Sequence, residues 1–137
     1  MDKVLIDTDV ILDFFFDRQP FSENAAKVFS LCELKKIQGF VTPVICSNVY
    51  YLLRRTAKHD LVIEKLNLLL SFTDVIMMDR NVIISALSSK FMDFEDALQN
   101  YSAMSAGTID AILTRNIKDF KNSELAVFTP DDYLKTK

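Results

Sequence analysis

Carboxylates in this sequence gather behind short apolar runs. Val4-Leu5-Ile6 ends abruptly in Asp7-Thr8-Asp9. Val75-Ile76-Met77-Met78 leads to Asp79, and Ile109 to Leu113 is followed by Thr114, Asn116 and Asp119. Asp93, Glu95 and Asp96 open the helical segment that precedes this last run. Acids brought together repel one another, and a bound hard cation removes that cost. Mg²⁺ and Mn²⁺ prefer oxygen ligands and bridge carboxylates to phosphate groups. A cation so held polarises a phosphodiester and makes water a better nucleophile. The chain has one histidine and two cysteines, so such a centre is built from oxygen and does not suit zinc.

Each acid also has a plainer use. Asp9 can cap a helix starting at Val10, Asp79 one starting near Asn81, and Asp93 one starting at Phe94. Glu95 suits the positive end of the last of these helices. Asp13 and Asp17 read as solvated helix positions. Asp7 has the weakest alternative, since it ends a strand before any helix is expected. Asp96 lies roughly 130° from the apolar face of Phe94, Ala97, Leu98, Tyr101 and Met104 on a helix of about 3.6 residues per turn. Its own stripe continues through the smaller Asn100, Ala103 and Gly107, which permits a close approach on that side. Spacing leaves both readings of Asp96 open.

The elements that must position these groups follow from the apolar pattern. Val4-Leu5-Ile6 is continuous rather than alternating, as in a strand buried on both faces of a parallel sheet. Further strands are expected at Phe40–Thr42, Val75–Met78, Ile109–Leu113 and Ala126–Phe128. Helices are expected over Val10–Phe16, Ser22–Gln38 with Gly39 as its stop, Val44–Thr56, Leu61–Phe72, Asn81–Lys90, Phe94–Ala106 with Gly107 as its stop, and Pro130–Leu134. The resulting order, β-α-α-β-α-α-β-α-α-β-β-α, predicts a three-layer α/β/α fold with a central, mainly parallel sheet. In such folds the functional crevice lies beyond the carboxyl ends of the strands.

The chain has 137 residues, 50% hydrophobic and 26% charged, which fits one domain over 1–137 with a substantial core and excludes disordered and collagen-like classes. Two glycines and three prolines are too few for a turn-rich all-β architecture. Sixteen Lys+Arg against 19 Asp+Glu give a net charge of −3, so any nucleic-acid contact must be local. Arg54, Arg55 and Lys58 form the densest basic cluster, with Arg115, Lys118 and Lys121 near the fourth strand; an ordinary solvated face is the competing account. Tyr50 and Tyr51 can stack on bases or belong to a core or dimer interface. His59 reads as a surface residue. Cys32 and Cys46 read as buried thiols in a reducing compartment. The greasiest stretch, Leu61–Leu70, is interrupted by Glu64, Lys65 and Asn67, so no membrane span is expected and a cytoplasmic location is.

Three segments in this order resemble the PIN domain. They are Val4-Leu5-Ile6-Asp7-Thr8-Asp9-Val10-Ile11-Leu12-Asp13, then Asp93-Phe94-Glu95-Asp96-Ala97-Leu98, then Ile112-Leu113-Thr114-Arg115-Asn116-Ile117-Lys118-Asp119-Phe120. The likeness closes with Val127-Phe128-Thr129-Pro130-Asp131-Asp132-Tyr133-Leu134. The resemblance implies a small α/β/α ribonuclease that cleaves single-stranded RNA with Mg²⁺ or Mn²⁺. It also implies a place in a bacterial toxin–antitoxin pair, with a homodimer and an antitoxin protein as partners. It assigns Asp7, Asp96 and Asp119 to the metal, with Asn116 and Thr114 supporting them; the local positive charge of Arg54, Arg55 and Arg115 makes these the expected contacts to the RNA. The remaining site position, usually Glu, is Asn48 in this chain. An amide brings no charge, so the resemblance equally admits a degenerate domain that binds RNA or a protein without cutting. Leu5-Ile6-Asp7-Thr8-Asp9-Val10 also fits the opening of haloacid-dehalogenase-like phosphatases, with Asp7 as nucleophile. That reading needs a later lysine and a downstream acid pair, for which Lys118 and Asp119 are poor matches.

Overall fold

The computed structural model describes residues 1–137. Five strands, β1 (Asp2–Ile6), β2 (Ile37–Val41), β3 (Thr73–Val75), β4 (Ala111–Leu113) and β5 (Ala126–Phe128), form one sheet in the order β3-β2-β1-β4-β5. Every pairing is parallel. Seven helices complete the chain: α1 (Thr8–Phe15), α2 (Ser22–Glu33), α3 (Pro43–Arg54), α4 (His59–Ser71), α5 (Arg80–Leu87), α6 (Phe94–Ala106) and α7 (Pro130–Leu134). A 3-10 turn spans Ile117–Phe120. The three-layer α/β/α architecture expected from the apolar pattern is the one observed. No helix is long and apolar enough to cross a membrane.

The central strands show why their sequences are uninterrupted apolar runs. Val4, Leu5, Ile6, Ile112 and Leu113 are all 0% exposed, since helices cover both faces of the sheet there. α5 and α6 pack together through Val82, Ala86, Ala97 and Leu98, a small cluster separate from the main core.

Several boundaries differ from expectation, each for a local reason. Helix α2 ends at Glu33, and Lys35 turns the chain with φ 57° so that Ile37 starts β2. Gly39 is therefore no helix stop. It sits inside β2 opposite Val4, and a Cβ there would stand 2.7 Å from Cys32 Sγ. Thr42 lies past β2 and caps α3 by accepting the Ile45 N–H at 3.1 Å. Strand β3 begins earlier and stops at Val75, leaving Met77 82% exposed. Gly107 does end α6, in the left-handed conformation with φ 73°.

The chain leaves β1 toward β2 and β3, then returns past it to β4 and β5. The direction of winding reverses between β1 and β4. At such a point the loops beyond the two strands diverge to opposite faces and open a crevice. Ile6 and Leu113 are in register across this gap, and the Asp7 N–H donates to Leu113 O at 3.0 Å. Asp7 and Thr114 are thereby set side by side by backbone pairing alone.

Candidate active site

A cavity of about 580 Å³ opens beyond these strand ends. Asp7, Asp9, Asn48, Asp93, Glu95, Asp96, Asn116 and Asp119 line it, with Arg18, Arg55, Tyr51 and Gln99. Five of the six expected site residues reach it directly: Asp7, Asp96, Asp119, Asn116 and Asn48. The sixth, Thr114, is fully buried beneath.

Asp7 serves as the N-cap of α1, not Asp9. Its Oδ1 accepts the Thr8 N–H at 2.8 Å, and its Oδ2 accepts the Thr114 hydroxyl at 2.9 Å. The same Thr114 oxygen accepts the Asn116 N–H at 3.1 Å. One hydroxyl thus fixes both the first acid and the start of the loop carrying Asn116 and Asp119. Asp9 Oδ2 accepts the Arg115 N–H at 3.0 Å, whereas its Oδ1 is buried without any partner. A bare, buried carboxylate oxygen at a cavity wall costs free energy unless a cation or donor meets it.

Helix α6 delivers the second group of acids. Asp93 caps it by accepting the Asp96 N–H at 3.0 Å. The stripe running from Asp96 through Asn100 and Ala103 turns inward beside the buried Ala97 and Leu98, with Gln99, Asn100 and Ala103 each at most 2% exposed. Phe94, expected on the buried face, is 49% exposed. α6 packs against α5, and its Ala103 joins the main core. Gln99 Oε1 accepts the hydroxyl of Thr42 at 2.6 Å in the interior. This contact ties α6 to the N-terminus of α3, and so fixes Asn48 across from the acids.

The crowding has an electrostatic signature. Burial, then the charge of Asp9, pushes the Asp7 carboxyl up to about 7. Asp96 is likewise pushed up to about 7, by burial first and then by the charges of Asp7, Asp93, Asp119 and Asp9. Asp9 is also raised by burial, against the pull of its hydrogen bond from Arg115. Acids from three separate segments therefore feel one another. As they stand, no three His, Cys, Asp or Glu side chains surround a single point. In donor type the carboxylates suit a hard divalent ion: all are oxygens, and the Asp9 oxygen has no other partner.

Other expected residues lie elsewhere. Asp79 caps α5 by accepting the Val82 N–H and faces a different, apolar cleft. Asp13, read as solvated, is 1% exposed. It receives two hydrogen bonds from the Arg115 guanidinium, at 2.6 and 3.0 Å, with Arg18 at 3.5 Å. Arg115 also lies over the Phe21 ring at 4.0 Å, so its charge is spent on holding the β4 loop to α1. Arg54 donates to Ala57 O and does not line the cavity. Arg55 does, joined by Arg18, which the sequence reading passed over because a lone arginine in a turn carries no distinguishing pattern. Tyr50 shares a 2.9 Å hydrogen bond with His59, while Tyr51 lines the cavity and is 67% exposed. Cys46 is half-buried; Cys32 is buried, which pushes its thiol up to about 12.

The molecule is a parallel α/β/α domain with a carboxylate-lined cavity at its switch point. The family model of the PIN domain matches residues 3–118, and the chain belongs to that family, one of nucleases. No curated protein sequence matches it. Among solved structures it is similar to VapBC-1 from nontypeable Haemophilus influenzae, with 14% identity, 94% of this chain and 98% of that one covered, and a TM-score of 0.71. A toxin–antitoxin complex from Klebsiella pneumoniae shows 20% identity over 93% of this chain and 97% of that one, with a TM-score of 0.68. VapC20 of Mycobacterium tuberculosis, described as a toxin cleaving the Sarcin-Ricin loop, gives 14% identity, coverage of 80% and 86%, and a TM-score of 0.60. At these identities the likeness is one of fold.

Proposed function

We propose that this chain is an Mg²⁺- or Mn²⁺-dependent endoribonuclease acting on single-stranded RNA, the toxin of a toxin–antitoxin pair. The observation that carries this reading is the meeting of Asp7, Asp96 and Asp119, from distant segments, on one cavity at the strand ends of a PIN domain. The similar folds of toxin–antitoxin complexes support the partner, and that of VapC20 supports RNA as substrate. Asp7, Asp96 and Asp119 hold the ion, and Asp9 offers its bare oxygen beside them. When bound, the ion supplies Lewis acidity toward the phosphodiester and stabilises charge on the leaving oxygen. Thr114 keeps Asp7 oriented by donating to Oδ2. Arg18 and Arg55 bring positive charge to a phosphate at the rim, and Tyr51 offers an exposed ring to a base. Self-association as a homodimer and a cytoplasmic site of action belong to the same reading.

Asp7→Asn is the direct test, because it keeps shape and removes charge. Cleavage of a labelled single-stranded RNA with Mn²⁺ should fall to background while the circular dichroism spectrum is unchanged. Full activity in the variant would overturn the assignment. The uncharged Asn48 favours one other reading, a domain that binds RNA without cutting it. That domain would retain the RNA in EDTA and leave it intact in Mn²⁺. The phosphatase alternative draws no support from a chain of this family.

A further inference from the structure

Asn48 stands where the PIN resemblance implies a glutamate, and the site is short of one charge on α3. The neighbouring helix offers a replacement. Asn48 Nδ2 donates to Glu95 Oε2 at 2.9 Å, a contact between residues 47 positions apart. Both side chains line the cavity. No lysine or arginine pairs with Glu95. A carboxylate has two oxygens and about four acceptor positions, so the amide leaves most of its capacity free. Glu95 also directly precedes Asp96, on the turn already turned to the acids.

We propose that Glu95 supplies from α6 the negative charge that Asn48 lacks on α3, with the Asn48 amide orienting it toward the divalent ion. This rests on the ion-dependent reading above. An acid in the first turn of a helix also suits the helix dipole. That simpler role does not involve α3 and predicts no dependence on residue 48. The asparagine is then no sign of a dead site, because asparagine and glutamate together do the work of one glutamate.

Calorimetric titration with Mn²⁺ tests this on the full chain, comparing wild type with Glu95→Gln, Asp7→Asn and the double variant Glu95→Gln/Asn48→Glu. Loss of a group that holds or orients a metal ligand typically weakens metal binding by about tenfold to a hundredfold, and that loss is expected for Glu95→Gln. The double variant, with the charge returned to α3, should recover to within a few fold of wild type. Thermal unfolding without metal should be little changed in Glu95→Gln, since Glu95 is exposed. If Glu95→Gln binds Mn²⁺ as wild type does while Asp7→Asn does not, the role of Glu95 is overturned and the nuclease reading stands. A folded double variant that stays as weak as Glu95→Gln overturns the exchange of charge. If wild type binds no Mn²⁺, or Asp7→Asn binds it normally, the nuclease reading itself fails.

Discussion

Asp7 and Asp96 are held near 7 in the folded chain against 3.8 for a free aspartate, and this has a consequence for stability. Between those limits the folded state binds more protons than the unfolded one. The stability these two groups contribute to the metal-free protein should therefore be fully present below about pH 4, be lost as pH rises through 7, and level off above it. Metal binding should run the other way, strengthening through the same window as the protons leave. Asp96→Asn removes a source of repulsion without removing a hydrogen bond that holds the fold. It should raise the unfolding midpoint in EDTA at pH 8 by a few degrees, about 1 kcal/mol once solvent screening is allowed for, and change little at pH 4. Thermal melts at the two pH values check this, and a lowered midpoint at pH 8 would contradict it. A site that gives up stability when empty and regains it when filled is the expected pattern for residues retained for binding.

Two elements, α1 and the loop after β4, owe their mutual position to a buried ion pair. Arg115 gives its backbone N–H to Asp9 and its guanidinium to Asp13, which is 1% exposed. Removing the arginine leaves a carboxylate in the interior with only Arg18 at 3.5 Å to meet it. Breaking such a pair from one side costs about 3 kcal/mol or more. Arg115→Ala should show that loss in urea unfolding. Asp13→Asn/Arg115→Met, which removes both charges, should recover part of it; equal losses in single and double variants would mean that the stranded Asp13 charge is not the source of the loss. The charge pattern Asp13…Arg115 resembles that of solvated residues in sequence, since neither neighbour set signals burial. Helix α6 teaches the same point. Ala97 and Leu98 of its apolar stripe are buried against α5 as the periodicity predicts, but Phe94 is exposed and the polar Gln99 and Asn100 are buried as well, each with a hydrogen-bond partner.

Over the whole molecule, net charge opposes the proposed substrate. A chain at −3 with its acids concentrated at one cavity repels a polyanion there. Arg18 and Arg55 supply a limited counter-charge at the rim. Affinity for single-stranded RNA should therefore fall in EDTA, and Arg55→Ala should weaken binding to all sequences alike while lowering the salt slope by about 1. Fluorescence anisotropy on the wild-type metal site with a non-hydrolysable single-stranded RNA analogue measures both. Binding that is indifferent to EDTA would favour the module that only holds RNA.

The strand-and-helix order, the layered fold and the gathering of acids at the strand ends were legible in the sequence, while Asp7, Asp96, Asp119, Asn116, Thr114 and Asn48 came together as a proposed set only through the resemblance to the PIN domain. Uninterrupted apolar runs have few other uses, and a parallel sheet sends whatever follows its strands to one edge. Tertiary structure alone decided which charges work in that edge and which work beneath it. Asp9 lost the capping role to Asp7, Arg115 turned to Asp13, and Arg18 and Glu95 entered the cavity from a turn and a helix start. Those outcomes depend on distances between segments about 100 residues apart, 102 for Asp13 and Arg115. A charged side chain reads the same in sequence whether water or a buried counter-ion stabilises it, and only packing settles which of the two it meets.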